Sequence, residues 1–168
     1  IEAVRMGLDV HVWGVDISAG MLDVGRKKVA SRGWNDRIEL IQGDSVKLPF
    51  EDAHFDAYTV AFGVRNFENL QGGLHDMRRV LKPGGLGLVL EFSKPRVFPI
   101  KQVFGLYFKH IMPTVGRWVS KDPAAYTYLP ESVDAFPEGQ DFLEEMRKAG
   151  YVDLKARPLT GGIATVYT

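Results

Sequence analysis

The chain has 168 residues, enough for one ordinary domain. Apolar residues make up 45% and charged residues 25%, the profile of a globular protein, and no apolar run approaches the roughly 18 residues of a membrane span. Basic and acidic residues number 21 each, which argues against a nucleic-acid partner, and the absence of cysteine excludes disulfides and thiolate metal sites.

In chain order, the opening "IEAVRMGLDV" has no signal-peptide character. It lacks Met and begins inside an apolar pattern, so it does not read as a natural beginning. "DVHVWGVD" reads as a strand buried on both faces. Ser18 is a candidate N-cap for a helix from Ala19 to about Arg32, ended by Gly33. "RIELIQ" (37–42) is the next strand, and "GDSVKLPFEDAHF" is a loop with turn chemistry. "FDAYTV" continues into "AF" as a buried strand. "LQGGLHDMRRVL" (70–81) is a helix despite two glycines, stopped by "KPGG" (82–85), and "LGLVLEF" (86–92) is a strand. Strand and helix thus alternate three times with short connections. That pattern predicts an α/β fold with a doubly wound parallel sheet.

After Pro99 the texture changes. "IKQVFGLYFKHIM" places Ile100, Val103, Phe104, Tyr107, Phe108 and Ile111 on one helical face. Core packing explains such a face; a cover for an apolar ligand or a shallow membrane contact explains it equally. A Pro-rich, aromatic stretch follows and reads as a cap, about 97–137. "GQDFLEEMRKAGY" is an amphipathic helix ending at Gly150, and "VDLKARPL" with "GGIATVYT" reads as a closing hairpin. No repeat or linker interrupts the chain, which reads as one domain, 1–168.

Ligands of open α/β sheets sit at the carboxyl ends of the strands. Asp16, the pair Asp44–Ser45, Ala61–Phe62 and Glu91 fall there. An acid after one strand can accept both hydroxyls of a ribose, and an Asp in the next loop can hold an adenine amino group. Each has an ordinary alternative: Asp16 as a cap or turn residue, Asp44 in an Asx-turn, Glu91 as a structural residue. "AFGVRNFEN" (61–69) is less ordinary, because it delivers a permanent cation, Arg65, and an amide, Asn66, at a strand's end. A surface salt bridge from Arg65 to Glu68 or Asp76 is the plain explanation. The four histidines stand apart without ligand spacing, so no metal is expected.

"GVDISAGML", "QGDSVKLPFEDAHFDAYTVAFGVRN", "MRRVLKPGGLGLVLEFSKP" and "YTYLPESV" together resemble the quinone-biosynthesis C-methyltransferases that act on demethylmenaquinone and the ubiquinone precursor. "LKPGG" alone points only to class I S-adenosylmethionine-dependent methyltransferases; "FGVRN" with "EFSKP" and "AYTYLPES" is much narrower. The likeness runs from about Asp9 to Thr168. It implies a Rossmann-like methyltransferase sheet with a C-terminal hairpin and helical cap. It implies that Asp16 and Ile17 hold the cofactor ribose, that Asp44 and Ser45 flank its adenine, and that Ala61 lies by its methionine moiety. That family has a small residue such as Ser at this last position. The family's first strand and glycine-rich loop have no counterpart in the chain, so "HVWGV" and "DAYTVAF" are expected to have open edges, as in a fragment or where a neighbouring chain supplies the strand.

The family reaction moves a methyl group to a ring carbon of a prenylated quinol. A fixed cation lowers the ionisation threshold of a nearby phenol. Arg65 is therefore expected to stabilise the phenolate and Asn66 to hold the oxygen or a water, with Tyr126 and Tyr128 lining the quinol pocket. Because such a substrate is a lipid, a cytoplasmic enzyme with peripheral contact to the inner membrane is expected, and a homodimer is a further expectation. Two other readings stand beside it: a non-catalytic binding module on a truncated methyltransferase fold, and a methyltransferase for another small apolar acceptor.

Overall fold

A computed structural model describes residues 2–106 and 131–168. The chain divides into two compact units, Ile1–Pro49 and Phe50–Thr168.

The first unit is a β-α-β element preceded by a short helix, α1 (Glu2–Arg5). Strand β1 (Val12–Asp16) pairs in parallel with β2 (Ile38–Gln42), from Val12 opposite Ile38 to Asp16 opposite Gln42. Parallel neighbours need a crossover, and helix α2 (Ala19–Ala30) supplies it. Ser18 caps α2 as the sequence predicts: its side chain accepts from Met21 N at 3.3 Å. Val4, Val29 and Ile38 form a small core, with Val12, Trp34 and Leu40 packed against it. Leu40 explains two glycines, since a Cβ at Gly14 or Gly25 would come within 2.6 or 2.7 Å of its methyl groups.

In the second unit the strand order is β3-β4-β6-β5. Strand β3 (Phe55–Ala61) runs parallel to β4 (Leu81–Phe92); β6 (Ala164–Tyr167) is antiparallel to both β4 and β5 (Ala156–Leu159). The predicted closing hairpin is therefore β5–β6. Helix α3 (Leu70–Arg79) crosses between β3 and β4, α4 covers Ile100–Leu106, residues 131–135 are helical, and α5 covers Gln140–Lys148. The core joins Val64, Leu74, Val89, Phe136, Phe142, Leu143, Met146 and Tyr167. Phe142 packs between Phe136, tilted against it, and Tyr167, edge-on to it, with ring centroids 4.9 and 4.7 Å away. A phenol pair ties distant elements together. Tyr58 Oη donates to Tyr151 Oη at 2.8 Å, and Tyr151 Oη donates to Leu74 O at 3.1 Å. Burial pushes the Tyr58 phenol up to about 12.

Four expectations need correction. "KPGG" does not simply stop α3; it lies inside β4 as an irregularity. Phe55 pairs with Leu81 and Ala57 with Leu86, so two steps on β3 oppose five on β4, and Gly84 takes φ +78° in the slack. Strand β3 is not buried: most of its residues are exposed, because among the described residues only β4 pairs with it. Strand β1 is likewise only half-buried, and among the described residues it pairs only with β2. Helix α4 buries none of its residues; Ile100 packs over Gly161, while Val103 and Leu106 point to solvent. Tyr107, Phe108 and Ile111, the rest of that expected face, lie outside the described residues.

The two glycines of α3 have separate causes. Gly72 N donates to the Asn69 cap at 2.9 Å. Gly73 lies under the Phe67 ring, where a Cβ would contact Cδ2 and stand 2.7 Å from Cε2. Helix propensity alone says that Gly73→Ala should stabilise the protein by about 1 kcal/mol. Overpacking against Phe67 should reverse the sign, and we expect a net loss of about 1–3 kcal/mol in urea unfolding. A gain in stability would show that Phe67 moves aside at no cost.

Candidate functional site

The expected cofactor residues of the first unit gather at the carboxyl ends of its two strands. Asp16 is the last residue of β1 and Asp44 follows β2 by two positions. Gly43 N donates to Asp16 O at 3.2 Å, which joins the two turns. Both acids fold their own turns in the same way. Asp16 Oδ1 accepts from Ser18 N at 2.8 Å, and Asp44 Oδ1 accepts from Val46 N at 3.0 Å. Each is an Asx-turn, so the ordinary alternative weighed for Asp44 is present. It does not use up the side chain. In each case one carboxylate oxygen is fixed by the backbone, and among the described residues neither acid enters an ion pair. The second oxygen is an acceptor held on a rigid turn, suited to a hydroxyl or an amino group. Ile17 is 70% exposed, and its carbonyl accepts from Gln42 Nε2 at 2.9 Å. Ser45 Oγ is 3.5 Å from Asp44 Oδ1, at the outer limit of a hydrogen bond.

In the second unit β3 ends at Ala61, which is exposed. Phe62 N still donates to Leu90 O at 2.8 Å, but Phe62 takes φ +57°, a costly conformation for an aromatic residue. That reversal throws the chain out of the sheet and into a 3₁₀ turn, Val64–Asn66. Val64 drops into the core at 1% exposure and anchors the turn. Asn66 is exposed, and its N–H donates to Gly63 O at 3.0 Å.

Arg65 turns inward, and this corrects its expected partners. It pairs with neither Glu68 nor Asp76 but with Glu91 on β4. Nη1 lies 2.6 Å from Glu91 Oε1, with the side chains 10% and 0% exposed. Arg65 N donates to Glu91 Oε2 at 3.2 Å, and Phe92 N donates to Oε1 at 3.1 Å. Arg65 Nη1 also donates to Phe62 O at 2.7 Å, and Nε to Ser132 Oγ at 3.3 Å. The guanidinium carbon stands 5.3 Å from the Phe92 ring centroid. Nη2 carries no hydrogen bond among the described residues. The arrangement leaves one pair of N–H donors, on a cation locked in place, for an oxygen of a bound molecule.

Sequence reading singled out Arg65 but missed the carboxylate that holds it, treating Glu91 only as a residue at a strand's end. The signal was there: a Glu inside the apolar run "LGLVLEF" needs a cationic partner. Tyr126 and Tyr128 lie outside the described residues. Among the described residues no cluster of His, Asp or Glu could hold a metal ion.

Comparison with known proteins gives a consistent result. The ubiE/COQ5 methyltransferase family matches residues 2–168. A demethylmenaquinone methyltransferase of Bacteroides fragilis is 47% identical over 155 residues, 92% of this chain and 63% of that protein. A ubiquinone/menaquinone biosynthesis C-methyltransferase of Brucella anthropi is 40% identical over 96% of this chain and 62% of its own length. The chain therefore spans less than two thirds of these relatives. Among solved structures, phosphoethanolamine N-methyltransferase 2 of Haemonchus contortus superposes with a TM-score of 0.66 at 18% identity, covering 95% of this chain and 32% of that one. Such structures establish the fold: a Rossmann-like α/β methyltransferase fold, as the alternation of strands and helices predicts.

Because Glu91 is wholly buried, Arg65 is first of all its counter-charge. Removing one member of a buried pair costs about 3–5 kcal/mol. Arg65→Ala should therefore lose about that much in urea unfolding, and Arg65→Met with Glu91→Leu should recover most of it. A loss below about 1 kcal/mol for Arg65→Ala would mean that another group compensates Glu91.

Proposed function

The chain belongs to the ubiE/COQ5 methyltransferase family, and we propose that it carries the greater part of an S-adenosylmethionine-dependent C-methyltransferase acting on a prenylated quinol. The observation that carries this reading is the extent of the likeness to the demethylmenaquinone methyltransferase of Bacteroides fragilis, 92% of the chain. We read residues 1–168 as one methyltransferase domain.

The residues present fit the cofactor. Asp16 and Asp44 each keep an acceptor oxygen at a strand's carboxyl end while the other is fixed on its own backbone. In this reading Asp16 and Ile17 hold the ribose, Asp44 and Ser45 flank the adenine, and Ala61 borders the methionine moiety. When bound, S-adenosylmethionine supplies an electrophilic methyl group on a positively charged sulfur.

Net, a ring C–H of the quinol becomes C–CH₃ and one proton is released. The carbon is a competent nucleophile only when the neighbouring hydroxyl has given up electron density. Arg65 supplies the Nη2 donors to that oxygen as it becomes negative, and Asn66 holds the oxygen or a water. Arg65 is not the base, since a guanidinium offers N–H donors and no acceptor; the phenolic proton leaves through water. Tyr126 and Tyr128 are proposed to line the quinol pocket.

A polyprenyl tail must stay out of water. No helix among the described residues is long and apolar enough to cross a membrane. The exposed Val97, Phe98, Val103 and Leu106 support a peripheral contact instead, and we place the enzyme in the cytoplasm against the inner membrane.

The test begins with calorimetric binding of S-adenosylhomocysteine. Asp16→Asn keeps the oxygen that accepts from Ser18 N but turns the other acceptor into a donor. We expect a loss of about 1.5–3 kcal/mol in binding, with an unchanged melting curve. Unchanged affinity would remove Asp16 from the ribose site. If the unsubstituted protein neither binds the cofactor product nor methylates demethylmenaquinol, the non-catalytic binding module becomes the better reading.

A further inference from the structure

A buried Arg–Glu pair beside an acceptor oxygen creates a difficulty that the structure also resolves. The oxygen is bonded to a carbon adjacent to the one that takes the methyl group. A group touching that oxygen is therefore necessarily near the sulfonium. An uncompensated guanidinium there would repel the cofactor, since the two charges have the same sign.

We propose that Glu91 is the positioning and charge-balancing residue for Arg65. Its carboxylate fixes the guanidinium with Nη2 facing outward and cancels the charge, so that a sulfonium cofactor can bind beside it. This rests on the reading of Arg65 given under the proposed function.

The geometry supports both parts. Glu91 is 0% exposed and pairs with Arg65 at 2.6 Å, so the two charges cancel with little solvent between them. Three donors from two residues reach the carboxylate: Arg65 Nη1, Arg65 N and Phe92 N. Because one of these is the backbone N–H of Arg65 itself, Glu91 fixes the turn as well as the side chain. Ser132 and Phe62 O hold the remaining inner edge of the guanidinium.

Among the described residues, no other nearby group supplies the balance. Across the sheet, Glu91 is opposite Thr165, which hydrogen-bonds to Ser93 at 2.8 Å. The Tyr167 phenol is pushed up by burial and is neutral at working pH. Glu138, whose charge is felt at Tyr167, accepts from Lys94 N at 2.6 Å and pairs with Arg96 at 3.4 Å. Removing the charge of Glu91 alone therefore leaves Arg65 unbalanced.

The test compares a charged with an uncharged ligand of nearly the same shape. S-adenosylmethionine is a sulfonium and S-adenosylhomocysteine a neutral thioether, and calorimetry gives both dissociation constants. Glu91→Gln should weaken sulfonium binding relative to thioether binding on the order of tenfold. That is what one unbalanced charge about 10 Å away produces at an effective dielectric constant of about 20. Glu91→Asp restores the charge and should restore the wild-type ratio even where its shorter side chain lowers the melting temperature. A purely structural Glu91 would weaken both ligands alike, or neither, and that result overturns the proposal. Should Glu91→Gln not fold, the doubly neutral Arg65→Gln with Glu91→Gln decides the matter. It should keep the wild-type ratio, and a shift towards the sulfonium would show that Arg65 was never balanced. Failure of the unsubstituted protein to bind either ligand would instead overturn the methyltransferase reading, and this inference with it.

Discussion

The carboxylate of Glu91 is the constraint around which the second unit is arranged. A carboxylate with no solvent exposure must meet a cation and fill its hydrogen-bonding sites, because the cost of leaving it bare is several kcal/mol. The chain meets that demand at the end of β3. The left-handed backbone at Phe62 turns it out of the sheet, Val64 anchors it in the core, and Arg65 swings back to give a side-chain and a backbone donor to the same carboxylate. Lys could supply the charge but not the fork. Arg65 reaches Glu91 and Phe62 O through Nη1 and Ser132 through Nε, and still has Nη2 left over.

Such a pair is not a natural source of stability. Well-packed apolar residues of similar size usually do as well or better. Its value lies in geometry, since a guanidinium gripped along one edge presents the other in a fixed direction. That is the difference between a surface arginine, whose long side chain has many rotamers, and a donor already aimed before anything binds.

Much of this was legible in the sequence, and the limits have physical causes. The alternation of strands and helices depends on local periodicity, which is why β1, α2, β2 and β6 lie where the pattern puts them. The Ser18 cap depends on a residue and its neighbours three positions on. Pairing across strands is different. Arg65 and Glu91 are 26 positions apart, and their meeting depends on the register of β3 against β4. That register contains a slip that "KPGG" absorbs, and reading those residues as a helix stop hid it. Burial of β3 was overestimated because an apolar run reports what a strand can tolerate, not how many neighbours pair with it. The Tyr58–Tyr151 bond, 93 positions apart, leaves no trace in the local pattern.

The two units divide the chemistry by the kind of hydrogen bond each can make. The first presents acceptors, Asp16 and Asp44, each with one oxygen already committed to its own turn. A ligand group recognised there must bring its own donors, as hydroxyls and amino groups do. The second presents donors, from a guanidinium whose charge is cancelled but whose N–H bonds are not. Cancelling the charge changes what the site rewards. A bare cation would attract any anion and act over many ångströms. A balanced pair has a field that falls off faster, and its remaining strength is directional, along the outward N–H bonds. It can therefore stabilise charge that develops on one correctly placed oxygen without opposing a positive group nearby. For a reaction that needs both a cationic donor and a nascent oxyanion within a few ångströms, a paired arginine is better suited than a free one.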